Sequence, residues 1–496
     1  MRCNGWKADG IGTSTDFRGT PQPSIYRPAL VITTMETITK LVPIVNARAA
    51  RVASSGLFRA AAMACCALIS FSCYFPGRLT PDSTWQLQQA ISGQFTDGNP
   101  PIMSALWRIL AGISPGPAPM LGVQVALYWT GIWAIWDAVA RRDNWRSFVP
   151  LLAAFHPLAL VLLGVVLKDS AMAAALIAGF GILFRQHALG RPSNWIASIF
   201  VGLAFTYAAL VRWNGMAALA PLLVYWLAPG WLRPGKVIVT TALLSAIAFP
   251  VSAFVNHALL RAGPAHLEAA LEIFDLAGIE YYSGDQRVLS VRPRCYTPFY
   301  WDRLNTPRCG RLFEQLTGAS EFGATDARPG QLPERWAKAI AQHPIAYAEH
   351  RLQHFNDSIY FLVPPSLVCR NAPEYPACRQ PRAKVILDDF VKKNLLYWPC
   401  LWLAAGAWLV FAGGTAAGPR ALAWSGMLYG FGYLLVGLGT EWRYHFWTIL
   451  AISMAIALHF ALDPNRGRHF NKLPLVVVPV ALAGYATRLL FLLAGW

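Results

Sequence analysis

An all-α, polytopic membrane protein is the fold class that the sequence predicts. Of the 496 residues, 55% are hydrophobic and only 14% are charged, and the mean hydropathy is +0.39. Lys and Arg outnumber Asp and Glu, 42 to 25, which gives a net charge of +17. The basic residues recur in short segments between apolar stretches, which is typical of cytoplasmic loops. Because they form no basic patch with interleaved aromatic residues, we expect a lipid bilayer as partner and no nucleic acid.

The apolar stretches predict about eleven transmembrane helices, since roughly twenty apolar residues are needed for one crossing. A cytoplasmic tail at 1–56 precedes a transmembrane core at 57–260, a large loop domain at 261–393 and C-terminal helices at 394–496. The predicted spans are Leu57–Phe75, Met120–Ala140, Phe148–Leu167, a short fourth that ends near Arg185, Trp195–Val211, a sixth that ends before Arg233, Val237–Leu260, Leu395–Ala412, Ala421–Gly439, Phe446–Leu462 and Leu473–Trp496.

Basic residues at alternate span ends orient these helices. Arg141, Arg185, Arg233 and Arg420 lie beyond the ends of spans and mark the cytoplasmic side. The opposite ends carry polar motifs, namely Pro81-Asp82-Ser83, Lys168-Asp169, Arg212-Trp213-Asn214 and Glu441-Trp442-Arg443-Tyr444-His445. We therefore expect these motifs to share the non-cytoplasmic face with the loop domain and to form one site.

The first loop of the core, 77–118, is polar, acidic and rich in proline. With Asp82 or Ser83 as its cap, a short helix is predicted in which Trp85 and other apolar residues alternate with glutamines. Such an amphipathic helix can lie along a membrane surface. Asn99-Pro100-Pro101 must form an irregular turn, because proline removes donors and restricts the preceding residue.

The loop domain contains four cysteines, Cys295, Cys309, Cys369 and Cys378. An even number of cysteines in one polar segment indicates two disulfides and an oxidising compartment, although four free thiols are the alternative. The sequence leaves three pairings open; pairing of neighbours would close the shortest loops. In the same segment, Pro333–Phe355 is predicted to be an amphipathic helix that is broken or kinked near Pro344.

The polar motifs hold complementary groups for a transfer reaction. A carboxylate can accept a proton from a hydroxyl or amine, and a cation can bind a phosphate leaving group. Asp82 is the candidate base, with Asp97 and Asp169 as supporting acids. The candidate phosphate-binding residues and donors are Lys168, Arg212, Arg443, Tyr444 and His445. The substrate-loop candidates are Trp85, Asn99, Asn214 and Glu441.

Each assignment has a purely structural alternative. Asp82 can be a helix cap and Asp97 a turn former. Lys168 and Asp169 can be a local pair at a helix end, and the arginines can extend to lipid head groups. The histidines lack the close spacing of a strong zinc site, so no metal ligands are assigned.

The motifs resemble those of the GT-C superfamily of integral membrane glycosyltransferases, especially its protein mannosyltransferase and aminoarabinose transferase branch. The shared features are an acidic motif just after the first helix, an amphipathic helix and a Pro-Pro turn. Where that branch has paired acids and His-Pro-Pro, this chain has Asp82-Ser83 and Asn99-Pro100-Pro101. Lys168-Asp169 resembles the second acidic loop of the family, and Arg443-Tyr444 resembles its late arginine-tyrosine pair.

The resemblance implies transfer of a sugar from a polyprenyl-phosphate donor to an envelope glycan, lipid or protein outside the cytoplasm. Asp82 would act as the base in an inverting reaction. The expected location is the bacterial inner membrane, with a multi-pass chain whose active site faces the periplasm. No cofactor is assigned, and a divalent cation stays open.

Two rival functions are compatible with the same composition. A transporter or flippase of a lipid-linked or anionic envelope precursor would also need cations at the membrane interface. Against it, the sequence shows no matching pair of interrupted helices, and its acids concentrate at one face. A non-catalytic partner in envelope assembly is the third candidate.

Overall fold

A computed structural model describes residues 55–141, 145–190, 194–289, 295–318, 330–364, 394–411, 414–462 and 472–494. Within these ranges the chain forms helices, turns and two isolated β-bridges, which join Arg78 to Val165 and Thr96 to Gly263. The described fold is therefore all-helical, as predicted. The predicted N-terminal tail lies almost entirely outside the described residues.

The α-helices are numbered here in chain order. They are α1 Gly56–Tyr74, α2 Pro81–Ser92, α3 Ile102–Ala111, α4 Ala118–Ala140, α5 Val149–Ala154, α6 Pro157–Leu163, α7 Lys168–Ala188, α8 Trp195–Leu210, α9 Gly215–Leu227, α10 Pro234–Ala253, α11 Glu268–Ser283, α12 Leu312–Thr317, α13 Leu332–Gln342, α14 Pro344–Ser358, α15 Pro399–Phe411, α16 Ala417–Val436, α17 Phe446–Leu462 and α18 Leu473–Leu493.

Six helical segments of the described chain are long and apolar enough to cross a membrane. They are α1, α4, α7, α10 with its π-helical extension to Leu259, α17 with its preceding turn from Trp442, and α18. Helices α8, α9 and α15 are apolar but shorter. By length and composition, the chain is therefore a multi-pass membrane protein, with six such segments among its described residues, or seven if a bent pair counts as one span.

That bent pair corrects the third predicted span. Instead of one helix over Phe148–Leu167, the chain forms α5 and α6, which are bent by 52°. His156 lies at the break and its Nδ1 accepts a hydrogen bond from the Leu158 N–H at 3.2 Å. Pro157 follows directly, and proline disfavours helical conformation in the residue before it. The apolar run is therefore continuous while the helix is not.

Helices α4 and α7 form the centre of the bundle and cross where glycines face each other. A Cβ on Gly131 would collide with the backbone of Ile177, and a Cβ on Gly181 would collide with the backbone of Gly131. Small residues allow such close backbone approach between membrane helices. In contrast, α1, α10 and α18 keep most of their apolar surface exposed, as helices that face lipid do.

A second hydrophobic core lies in the loop segment and is separate from that of the bundle. Ile273 and Phe274 of α11 pack there with Trp301, Phe313 and Leu332. The predicted Pro333–Phe355 helix is present as α13 and α14, which are separated at His343 just before Pro344. Cys295 and Cys309 form a disulfide beside this core. Cys369 and Cys378 lie outside the described residues.

Cys295→Ser is expected to destabilise this segment by about 3 kcal/mol, because the bridge closes a loop of 14 residues and so restricts the unfolded chain. Thermal unfolding in detergent, with and without reductant, measures the effect. Cys65→Ser removes an exposed free thiol and should leave the midpoint unchanged. Equal midpoints for wild type and Cys295→Ser would show that the bridge adds no stability.

Candidate functional site

Asp82 lies in the first turn of α2 and is not its cap. The structure corrects the predicted cap to Thr80, whose Oγ1 accepts from the Ser83 N–H at 3.3 Å. In return Ser83 Oγ accepts from the Thr80 N–H at 2.7 Å, which completes a capping box. The Asp82 carboxylate is therefore available for other contacts. Gln86 and Gln89 of the amide face turn into the protein, while the apolar Ile91 is exposed.

The Asp82 carboxylate lies between two cations that come from distant parts of the chain. Its Oδ2 is 3.6 Å from Lys168 Nζ and 3.5 Å from Arg443 Nη1. Lys168 above all, then Arg443, holds the pKa of Asp82 below its ordinary value, although partial burial acts in the opposite direction. A carboxylate with two partly buried cations is the centre of the site.

Lys168 is the first residue of α7, and its position is set by the extended segment before that helix. The Arg78 N–H donates to Gly164 O and the Val166 N–H donates to Arg78 O, each at 3.0 Å. These bonds join the start of α7 to the segment that leads into α2. Lys168 Nζ also donates to Asn99 Oδ1, from the turn before α3. The ammonium group therefore joins the start of α7 to Asp82 of α2 and to Asn99 of the turn before α3.

Arg212 forms the second layer of the site. Its guanidinium donates to Asp169 Oδ1, to Asn214 Oδ1 at 3.1 Å and to the Tyr433 hydroxyl at 2.7 Å. Asp169 is 1% exposed, and among the described residues its Oδ2 has no hydrogen-bond partner. A buried acceptor without a partner is uncommon, so this atom marks a place where a polar ligand or water would be stabilised.

The turn before α17 carries Glu441 and Arg443, which are ion-paired through Arg443 Nε. Tyr444 contacts both arginines of the site, since the guanidinium carbons of Arg212 and Arg443 are 5.3 and 5.2 Å from its ring centroid. The Tyr444 ring also stacks on Tyr433 at 5.6 Å. These aromatic contacts fix both guanidinium groups in place.

A buried ion pair of the loop segment holds the chain that leads into the turn before α17. Arg351 of α14 pairs with Asp275 of α11 and donates from Nη1 to Gly437 O at 2.8 Å. Asp275 also accepts from Trp336 Nε1 at 2.8 Å and contacts His350 Nε2 at 3.0 Å. Burial alone would raise the pKa of Asp275, but His350 and Arg351 hold it below its usual range. The loop segment thus anchors the chain just before Glu441.

The structure brings most of the predicted site residues together and places Trp85 and Asp97 elsewhere, whereas His445 lies at the edge of the site, with its ring centroid 5.1 Å from that of Tyr433. A connected series of pairwise contacts joins Asp82, Asn99, Lys168, Asp169, Arg212, Asn214, Glu441, Arg443 and Tyr444. His445 is fully buried, and its Nε2 bonds to Ser358 Oγ at 2.9 Å. Trp85 packs over Gly98, where a Cβ would lie 2.9 Å from the indole.

Asp97 belongs to a different set of contacts. Its Oδ1 accepts from the Ala265 N–H at 2.6 Å, and its Oδ2 is 3.3 Å from His257 Nε2. Burial raises its pKa, against the effects of Ala265 and His257. Asp97 therefore joins the first loop to the segment before α11, beside the bridge between Thr96 and Gly263.

Sequence reasoning missed Asp302 and Tyr433. Asp302 lies on a 3-10 turn, Trp301–Asn305, in the loop segment, and Glu441, Asp82 and Arg443 act on it electrostatically. Tyr433 is inside an apolar helix, α16. Neither lies in a polar motif at a span end, and only a tyrosine within an apolar helix gives even a weak signal.

The arrangement can bind an anion through Lys168, Arg443 and Arg212, next to a carboxylate that can accept a proton. Within the described ranges, no group of three His, Cys, Asp or Glu side chains is arranged to hold a metal ion.

Comparisons with protein-family models, with curated proteins and with solved structures found no match.

Proposed function

We propose that this protein is a membrane glycosyltransferase that moves a sugar from a polyprenyl-phosphate donor to an acceptor outside the cytoplasm. The observation that carries the proposal is the position of Asp82 Oδ2, 3.6 Å from Lys168 Nζ and 3.5 Å from Arg443 Nη1. It puts a candidate base beside candidate phosphate-binding cations, at the ends of apolar helices where a lipid phosphate would lie.

The reaction assigns each group one task. An acceptor hydroxyl or amine attacks the anomeric carbon, its proton passes to Asp82, and the bond between that carbon and the phosphate oxygen breaks. Polyprenyl phosphate leaves with the electron pair, and Lys168 and Arg443 stabilise its charge. Attack opposite the leaving group inverts the anomeric centre.

Donor binding would also activate the base. Lys168 and Arg443 lower the pKa of Asp82 in the free protein. A bound phosphate shares these cations and so weakens their hold on the carboxylate. The proton affinity of Asp82 then rises when the donor is present, which couples proton transfer to a filled donor site.

The envelope location follows from the same proposal. The polar ends of α7 and α17 and the disulfide-bearing segment would face the periplasm of a bacterial inner membrane, where oxidising conditions permit the Cys295–Cys309 bridge. The acceptor would approach from water, below the loop segment.

The test is release of polyprenyl phosphate from a panel of polyprenyl-phosphate sugars by the purified protein, with mixed envelope glycans and lipids as acceptors.

Lys168→Met is expected to weaken donor binding roughly 10- to 150-fold, because one charge-assisted contact contributes about 1.5–3 kcal/mol. Lys338→Met, which removes an exposed lysine of α13, is the matched control. Turnover of no donor, or a Lys168→Met variant with wild-type affinity, would contradict the proposal.

A transporter remains the second candidate because of the 52° break between α5 and α6. Discontinuous helices often line the binding sites of transporters. Uptake of a lipid-linked sugar into proteoliposomes without release of polyprenyl phosphate would favour that function.

A further inference from the structure

A second cluster of charged residues lies at the end of α7 opposite Lys168. Asp137 of α4 accepts from Arg59 of α1, whose Nε and Nη2 are 2.9 and 2.6 Å from Oδ1. Both members of this pair are almost fully buried. Two more arginines approach the other carboxylate oxygen, Oδ2, which lies 2.7 Å from Arg185 Nε and 3.7 Å from Arg141 Nη2. Their side chains are 22% and 46% exposed, so two accessible cations lie beside a buried pair.

This cluster carries more positive than negative charge. Arg59 binds the carboxylate through two hydrogen bonds and is its most buried partner. Among the residues that the structure describes, Asp137 is the only acidic partner of Arg141 and Arg185. One carboxylate cannot neutralise three guanidinium groups, and the accessible pair, Arg141 and Arg185, therefore attracts an anion.

Hydrogen-bond donors in the cluster also lack acceptors. Arg185 uses Nε for Asp137, and within the described ranges its two Nη groups donate to no acceptor. Its guanidinium carbon lies 4.9 Å from the ring centroid of Trp133, one turn before Asp137 on α4. Trp133 Nε1 is a buried donor for which the described chain supplies no acceptor. Buried donors are rarely left unpaired, so this second observation, which is independent of charge, also indicates a ligand with acceptor oxygens.

The surroundings of the cluster are those of a membrane–water interface. Helices α1, α4 and α7 are each long and apolar enough to cross a membrane, and the cluster lies at their ends. Leu57 and Phe58, beside Arg59, are exposed, and so is Trp145, which begins the turn after α4. Exposed tryptophan at a helix end is typical of the interface between lipid and water. An anion bound here is therefore within reach of lipid head groups, and the exposed apolar surface of α1 is available to acyl chains.

We propose that this cluster binds the phosphate of an anionic phospholipid, in the leaflet opposite the candidate functional site. Arg141 and Arg185 pair with the phosphate, and Trp133 Nε1 donates to one of its oxygens. Because Nε1 is covered in the free protein, the stacked guanidinium of Arg185 moves aside when the lipid binds. The inference is independent of the proposed transfer reaction, which uses the other end of α7.

The experiment measures lipid binding to the full-length protein by native mass spectrometry. The probes are phosphatidylglycerol and phosphatidylcholine with identical acyl chains, so that only the head group differs. For wild type we expect the first phosphatidylglycerol to bind roughly 30-fold more tightly than phosphatidylcholine, because each of two basic residues near an anionic lipid contributes about a factor of five.

Two variants test the assigned contacts. Arg141→Ala should lower the preference for phosphatidylglycerol about fivefold, and this variant should remain folded because Arg141 is exposed. Trp133→Phe keeps an aromatic ring for Arg185 and removes the N–H, so it should lower the affinity for phosphatidylglycerol about two- to tenfold. Lys236→Ala is the matched control. It removes an exposed lysine of α10, 4.9 Å from the ring centroid of Trp231, and should leave the preference unchanged.

Several results would overturn the inference. An unchanged preference in Arg141→Ala, or an unchanged affinity in Trp133→Phe, would exclude the assigned contacts. An equal loss in Lys236→Ala would show a response to general surface charge. Displacement of the lipid by millimolar inorganic phosphate would indicate a site for free anions, and tighter binding of polyprenyl phosphate that depends on Arg141 would assign the cluster to the sugar donor instead.

Discussion

Asp82→Asn is expected to lower release of polyprenyl phosphate by at least 100-fold, the lower end of the usual contribution of a positioned general base. The amide keeps the shape of the carboxylate but cannot accept the acceptor proton. It also removes the negative charge between Lys168 and Arg443, so the two cations are free to bind the donor phosphate. Donor affinity should therefore be retained or increased while turnover falls.

Two comparisons make this result specific. Asp97→Asn can keep the hydrogen bond from the Ala265 N–H, and we expect its turnover to stay within a few-fold of wild type, because Asp97 contacts His257 and Ala265 and not the cations of the site. Elution as a single species in detergent shows that each variant is folded. If Asp97→Asn loses activity and Asp82→Asn does not, Asp82 is not the base.

Asp137→Ala is expected to destabilise the protein by about 3–5 kcal/mol, which is the usual cost of breaking a buried ion pair by removing one of its members. Asp137 accepts from Arg59 Nε at 2.9 Å and from Arg185 Nε at 2.7 Å. The Arg59 and Asp137 side chains are 1% and 2% exposed. This cluster joins α1, α4 and α7 at the end of α7 opposite Lys168.

Arg141→Ala is the matched control for that prediction. Arg141 is 46% exposed and lies 3.7 Å from the same carboxylate, so its loss should cost only about 0–1 kcal/mol. Thermal unfolding midpoints in one detergent measure both variants. Similar midpoints for Asp137→Ala and Arg141→Ala would show that burial does not strengthen this ion pair network.

The sequence predicted the helical class and most of the charged site from local patterns. Apolar runs of nearly twenty residues identified α1, α4, α17 and α18 within a few residues. The polar motifs were recognised because charges are costly inside a bilayer and so gather at helix ends. The neighbouring pairing of Cys295 and Cys309 was one of the alternatives that the sequence left open.

The errors arose where local pattern and chain geometry differ. An apolar run does not show a bend, and the break at His156 therefore divided a predicted span. Residue type alone favoured Asp82 or Ser83 as a cap, whereas the helix begins at Pro81 and is capped by Thr80. Asp97 and Asp82 are both acids of the first loop, but Asp97 contacts Ala265 and His257, whereas Asp82 contacts Lys168.

Hydropathy and charge along the chain limit which groups can meet, because they place residues either within apolar helices or at helix ends. Helix packing then selects the contacts that form, which join Asp82 to Lys168 and Arg443, and Arg212 to Tyr433. Local patterns do not specify these contacts, since electrostatic interaction depends on distance and burial. Residues far apart in the chain acquire both only when the helices pack and the loop segment is anchored above them.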